Sequence, residues 1–201
     1  MIPILILPAA YLIGASPFGF LLVKWNTGAD VRAAGSGNIG ATNVLRTAGR
    51  AAGVATLLLD IGKGYLAVWL AERLAHGNPW WTSAAALTVM AGHAYPVFLG
   101  FRGGKAMASF VGAFLRLTPL PLIAVLVVFV IVVAWTRYIS MGSIVGAASL
   151  PLGVWLISEP PGPVVGASIL AGGFIIYRHS SNIRRLRAGA ENVFRFGASK
   201  P

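Results

Sequence analysis

The sequence predicts an all-α integral membrane protein of about seven transmembrane helices, with its N-terminus outside and its C-terminus in the cytoplasm. Three observations predict it. Hydrophobic residues make up 57% of the chain and charged residues only 10%, whereas soluble domains carry about 25% charged residues to cover their surface. Seven apolar runs recur, at 2–23, 53–74, 80–99, 106–117, 122–135, 139–157 and 164–177. The basic residues between those runs fall almost entirely on one side.

Each run earns its place in turn. A bilayer core of about 30 Å takes about 20 helical residues, and backbone inside lipid must hydrogen-bond to itself, so each run should be a helix. The first run lacks a basic leader and a cleavage site and is read as a span, not a removed signal. Trp80, Trp81, Trp135 and Trp155 lie near run ends, as an interfacial aromatic belt requires. The run at 106–117 is short and ends at Thr118-Pro119-Leu120-Pro121, so a re-entrant half-helix is the alternative to a full crossing there. The 201 residues leave no room for a separate soluble domain, and the chain reads as one polytopic domain.

Sixteen Lys and Arg against five Asp and Glu give a net charge of +11. In a soluble chain that would suggest nucleic acid; in this one the positive-inside rule explains it, and no nucleic-acid partner is expected. Lys24, Arg32, Arg46, Arg50, Arg102, Lys105, Arg137, Arg178, Arg184, Arg185, Arg187, Arg195 and Lys200 share one side of the seven-span scheme, and only Arg73 and Arg116 fall near the other. That side is the cytoplasm. The chain has no cysteine, which excludes disulfides and thiolate chemistry. His and acidic residues are too scattered for a metal site, and no cofactor is expected.

Three polar segments, near 30–50, 100–109 and 178–195, face that side. The first holds Gly35, Gly37 and Gly40 as a G-x-G-x-x-G. A dinucleotide site would need a strand before it and a βαβ unit around it; here a membrane span precedes it. Glycines let backbone N–H groups converge on an anion. Ser36, Asn38, Thr42 and Asn43 add short polar groups, and Arg46 adds a planar fork suited to phosphate. The second segment places Gly103-Gly104-Lys105 before an apolar helix, where free N–H groups and a lysine attract anions; a snorkelling lysine is the alternative. His93, near a span end, reads as structural. In the third, His179 and Asn182 share a helix face, and His179 is a candidate acid or base. Glu191 is read as tying down the Arg-rich tail. Asp60 and Lys63 lie three apart inside a span and are expected to pair structurally.

Together these segments resemble the acyl-phosphate-dependent glycerol-3-phosphate acyltransferases of bacteria, the PlsY family. The run from Gly35 to Arg46 looks like its first motif. Gly92-His93 through Pro96 and on to Gly103-Gly104-Lys105 resembles its second. His179, Ser181-Asn182-Ile183, Arg185-Leu186, Gly189 and Glu191 resemble its third. One departure is visible. The family has Gly and Val after the lysine, then Ala and Thr, where this chain has Ala106, Met107, Ala108 and Ser109. Ser109 keeps the hydroxyl; Ala106 adds a methyl where phosphate approaches.

The resemblance implies transfer of a fatty acyl chain from acyl phosphate to the 1-hydroxyl of glycerol 3-phosphate, the first step of bacterial phospholipid synthesis, at the inner membrane. It implies the lipid bilayer and both phosphate substrates as partners, with the enzyme that makes acyl phosphate as a further candidate. Arg46, Lys105 and the Gly35, Gly37, Gly103 and Gly104 backbones would hold phosphate, while Ser36, Asn38 and Asn182 orient the reacting groups. The base is either His179 or the donor phosphate. A transporter of a small organic anion shares the spans and basic groups but places them at mid-membrane; here only Asp60 and Lys63 sit deep.

Overall fold

The computed structural model describes residues 3–194, so Arg195 and Lys200 lie outside the described residues. All regular structure within them is helical. The ten helices are α1 (Pro3–Ala15), α2 (Phe18–Thr27), α3 (Ala41–Ala48), α4 (Arg50–Leu74), α5 (Pro79–Ala94), α6 (Met107–Leu117), α7 (Pro119–Thr136), α8 (Ile139–Ile157), α9 (Gly162–Arg178) and α10 (Ser180–Arg187). Each of the seven apolar runs holds a helix. Four segments are long and apolar enough to cross a bilayer: Ile4–Thr27, Arg50–Leu74, Pro119–Thr136 and Ile139–Ile157.

Proline chemistry sets several boundaries. The first run breaks into α1 and α2 at Ser16-Pro17. The third run was expected to stay helical to residue 99, yet α5 stops at Ala94, because Pro96 disfavours helix in the residue before it. A 3-10 turn at Val97–Leu99 follows. Pro119 starts α7 at a first-turn position, where its missing N–H costs nothing.

Large apolar side chains face outward as well as into the core. Leu58, Val130, Ile131, Trp135 and Leu170 are exposed, while Ala71, Ala85, Ala113, Ala147 and Ala171 are fully buried. Only 22% of the apolar stretch of α7 is buried, a surface that lipid must cover. Small residues bring helices close. Gly64 of α4 lies on the Ser109 carbonyl of α6, and Gly112 of α6 lies on the Ile61 carbonyl of α4; neither leaves room for a Cβ. Gly14 and Gly92 bring α1 and α5 together in the same reciprocal way.

Unequal helix lengths shape the site. At 1.5 Å per residue α6 is about 16 Å long and α5 about 24 Å, both short of the bilayer core. The C-terminus of α5 and the N-terminus of α6 are joined by residues 95–106, and α3, α10 and the start of α8 gather around the same end of the bundle. The result is a recess in which polar loops meet apolar helix walls.

Candidate active site

The first loop is built around Asn43, on the buried side of α3. Its Nδ2 donates to the carbonyls of Val31 (3.2 Å), Ala34 (3.0 Å) and Asn38 (2.9 Å), and its Oδ1 accepts from the Ser36 N–H at 2.8 Å. Gly35 (φ +60°) presses on Asn43 Oδ1, leaving no space for a Cβ. The Gly37 N–H bonds to the Ala34 carbonyl at 3.1 Å, and the Gly40 N–H to Asn38 Oδ1 at 2.8 Å. Asn43, expected to bind phosphate, therefore spends its amide on holding the loop in shape. Replacing Asn43 by Asp turns the donor into an acceptor facing three carbonyls, and each unsatisfied buried group costs about 1–3 kcal/mol. Asn43→Asp is expected to lower the melting temperature of the purified protein by several degrees.

The second loop corrects a sequence expectation. The Gly103 N–H bonds to the Ala94 carbonyl (3.2 Å) and the Gly104 N–H to the His93 carbonyl (3.1 Å), so these donors are engaged and not open to a phosphate. The glycines are there for close packing: a Cβ on Gly104 would strike His93 Nε2, and one on Gly103 would strike the His93 carbonyl and Pro96. Ser109 is fully buried beside α4, without a hydrogen-bond partner for its Oγ, and does not reach the recess. The cation, Lys105, does: it donates to Asn182 Oδ1. Burial, then the positive charges of Arg185, Arg46 and Arg178, push its pKa down to about 8, against the pull of Glu191.

Ala106 adopts φ +61°, ψ +10°, a left-handed backbone, at the N-cap of α6. A non-glycine residue there costs about 1–3 kcal/mol, offset in part by the greater freedom of glycine in the unfolded chain. The departure from the family pattern thus carries a backbone cost as well as an added methyl. Ala106→Gly is expected to raise the melting temperature by a few degrees, about 1 kcal/mol of net stabilisation.

The third segment locks onto the second. Arg178 donates to the Gly104 carbonyl at 2.8 Å and 3.2 Å and lies 4.8 Å from the ring centroid of Tyr95. Asn182, buried on α10, accepts from Lys105 and donates to Glu191 Oε1 at 2.9 Å. Glu191 Oε2 accepts from Arg185 at 2.9 Å. The acid therefore ties Asn182 and Arg185 of α10 together. His179 is buried with Nδ1 2.8 Å from the Ile175 carbonyl, which can only accept; Nδ1 is the protonated nitrogen and Nε2 carries the lone pair. Burial and the nearby Lys105 push its pKa down to about 4, despite the Ile175 bond and Glu191.

These groups line one cavity of about 480 Å³. Ser36, Asn38, Thr42, Arg46, Lys105, His179, Asn182 and Glu191 form its polar mouth, and Asn43 lines it from the loop side. Val54, Leu57, Ile61, Val111, Leu126 and Phe129 form apolar walls between α4, α6 and α7. Gly35, Gly103, Gly104 and Ser109 contribute framework rather than lining. Gly37 and Gly103 instead border an adjacent open groove with Arg32, Arg102 and Arg178. Sequence reasoning missed Arg185, Ser140 and Ser143 as lining residues. Arg185 follows Asn182 by three and so shares its helix face; the serines carry the same three-residue spacing on α8. Asp60 and His93 also line the cavity. Lys63 Nζ pairs with Asp60 Oδ1 at 2.8 Å.

Residues 4–189 match the family model for glycerol-3-phosphate acyltransferase. The chain belongs to the glycerol-3-phosphate acyltransferase family. The glycerol-3-phosphate acyltransferase of Geobacter sulfurreducens is 47% identical over 92% of this chain and 94% of its own. That of Desulforamulus reducens is 45% identical over 98% and 96%. The crystal structure of PlsY (YgiH), an integral membrane glycerol 3-phosphate acyltransferase, superposes in its glycerol 3-phosphate form with a TM-score of 0.91, at 36% identity and 96% coverage of both chains. Its lysophosphatidic acid form gives 0.88 at 34% identity, covering 96% and 95%. Together with its apolar helices, this makes the chain a multi-pass membrane acyltransferase.

Proposed function

We propose that this protein joins the acyl group of an acyl phosphate to the 1-hydroxyl of glycerol 3-phosphate, releasing lysophosphatidic acid and inorganic phosphate. It acts as one domain of seven spans in the bacterial inner membrane, N-terminus outside, with the recess facing the cytoplasm. The observation that carries this reading is a single cavity with cations at its polar mouth and apolar walls running between helices. Two phosphates and one fatty chain need that combination. The nearly one-sided basic residues support the orientation.

Arg46 and Lys105 hold the phosphates, with Arg185 completing the positive mouth. Ser36, Asn38 and Asn182 orient the glycerol and the acyl carbonyl. Acyl phosphate is a mixed anhydride with a good leaving group, so positioning and charge stabilisation carry the reaction. The 1-hydroxyl oxygen attacks the carbonyl carbon, the carbon–oxygen bond to phosphate breaks, and the hydroxyl proton ends on the departing phosphate. His179 Nε2 accepts the hydroxyl hydrogen bond and aims the oxygen. With a pKa near 4, beside Lys105, it does not retain that proton.

The deciding experiment gives the purified protein glycerol 3-phosphate with acyl phosphate, acyl-CoA or acyl carrier protein as donor. Phosphate release matched by lysophosphatidic acid with acyl phosphate alone supports the reading; activity with a thioester donor and none with acyl phosphate overturns it. A pH dependence follows from Lys105. Its charge is present below about pH 8 and lost above it, so kcat/KM for glycerol 3-phosphate should fall as pH rises through about 8. Lys105→Arg, whatever rate it retains, should move that limb to higher pH, because a guanidinium stays charged.

A further inference from the structure

The lysine loop rests on a buried network to which the reaction described above assigns no step. His93, at the end of α5, is 3% exposed, and both its main chain and its ring meet the loop. Its carbonyl accepts the Gly104 N–H at 3.1 Å, and its ring lies so close under Gly104 that no Cβ fits between them. On its other side, His93 Nδ1 faces Asp60 Oδ1 at 3.6 Å, a packing contact longer than a hydrogen bond. Asp60 is 2% exposed and paired with Lys63. Lys63 donates in turn to the Ser16 carbonyl at 2.8 Å, at the break between α1 and α2, and lies 5.5 Å from the Phe18 ring centroid. The chain of contacts therefore runs from that break, through α4 and α5, to the backbone that presents Lys105.

Such a network is costly as mere glue. A buried ion pair often contributes less than a well-packed apolar pair would, and its best-attested use is to fix register. Here the register at stake is that of Gly104, and Lys105 is the next residue.

We propose that His93 is a positioning residue for Lys105, its ring packed between the Asp60–Lys63 pair and Gly104 and its carbonyl accepting the Gly104 N–H. The inference rests on the reading of Lys105 as a cation that holds substrate phosphate. His93 acts through Lys105 and touches no reacting atom. Displacing a catalytic group by about 1 Å is enough to cost on the order of 100-fold in rate.

A double-mutant cycle tests this. Purified His93→Ala, Lys105→Ala and the double variant are compared by kcat/KM for glycerol 3-phosphate. His93→Ala is expected to lose about 10- to 100-fold, Lys105→Ala about 100-fold, and the pair no more than Lys105→Ala alone, because the second change removes what the first positions. His93→Gln, which keeps a hydrogen-bonding end of similar reach, should recover part of the loss, and should recover nothing when Lys105 is absent. Additive losses overturn the proposal, since a merely structural histidine would damage the enzyme with or without Lys105. Near-normal rates in Lys105→Ala overturn it differently, by removing the phosphate role on which it rests. Should His93→Ala not yield monodisperse protein, His93→Gln with and without Lys105→Ala carries the same cycle.

Discussion

Lys105→Ala is expected to lower the rate of acyl transfer by about 100-fold or more, the usual cost of losing one donor that stabilises developing charge. The size follows from where the ammonium sits. Lys105 is half-buried at the cavity mouth, fixed by Asn182, whose other face is fixed by Glu191. A cation held this way needs no rearrangement to meet a phosphate. Its pKa near 8 records how strained the charge is without one, since burial and three arginines oppose it. A phosphate dianion relieves that strain, so the attraction is stronger than an exposed lysine would give. Initial rates for correctly inserted, monodisperse protein check this, and near-normal rates would remove Lys105 from its assigned role.

Arg46→Ala should lose a comparable factor of about 100, and Arg46→Lys should recover only part of it. Arg46 stands on α3, three residues after Asn43, and is exposed where the cavity opens. Partial desolvation against the cavity wall lowers its pKa first of all, with Glu191 opposing and Arg185 adding to the effect, but a guanidinium keeps its charge through any working pH. What lysine cannot reproduce is the planar fork, which meets two phosphate oxygens at once. If Arg46→Lys restored the full rate, charge alone would suffice at this position.

The residues of the mouth were legible in the sequence because short polar side chains and an arginine cluster there among glycines, next to apolar runs. Their division of labour was not. Asn43 and Asn38 look alike in a list of polar residues, yet Asn43 is buried and engaged on both ends of its amide, whereas Asn38 is part-exposed at the cavity and accepts the Gly40 N–H through its Oδ1. Which amide faces inward depends on how the loop folds back over α3, a non-local fact. Gly103 and Gly104 likewise look like phosphate-binding glycines, but their N–H groups close onto α5 and their missing side chains make room for His93. That partner stands ten and eleven residues earlier, at the end of α5, and no spacing rule links them. The helix runs themselves were readable from hydropathy; their ends shifted where proline chemistry overrode it, as at Ala94 and Pro119.

The central claim is that both substrates meet in one cavity and the acyl group passes directly from the acyl phosphate to the 1-hydroxyl of glycerol 3-phosphate. Single-turnover phosphate release tests it. Purified protein is mixed with a stoichiometric amount of acyl phosphate, with and without glycerol 3-phosphate. Direct transfer expects release of phosphate, matched by lysophosphatidic acid, only when the acceptor is present. A burst of one phosphate per protein without acceptor, leaving an acyl group on Ser36 or any other side chain, would contradict it.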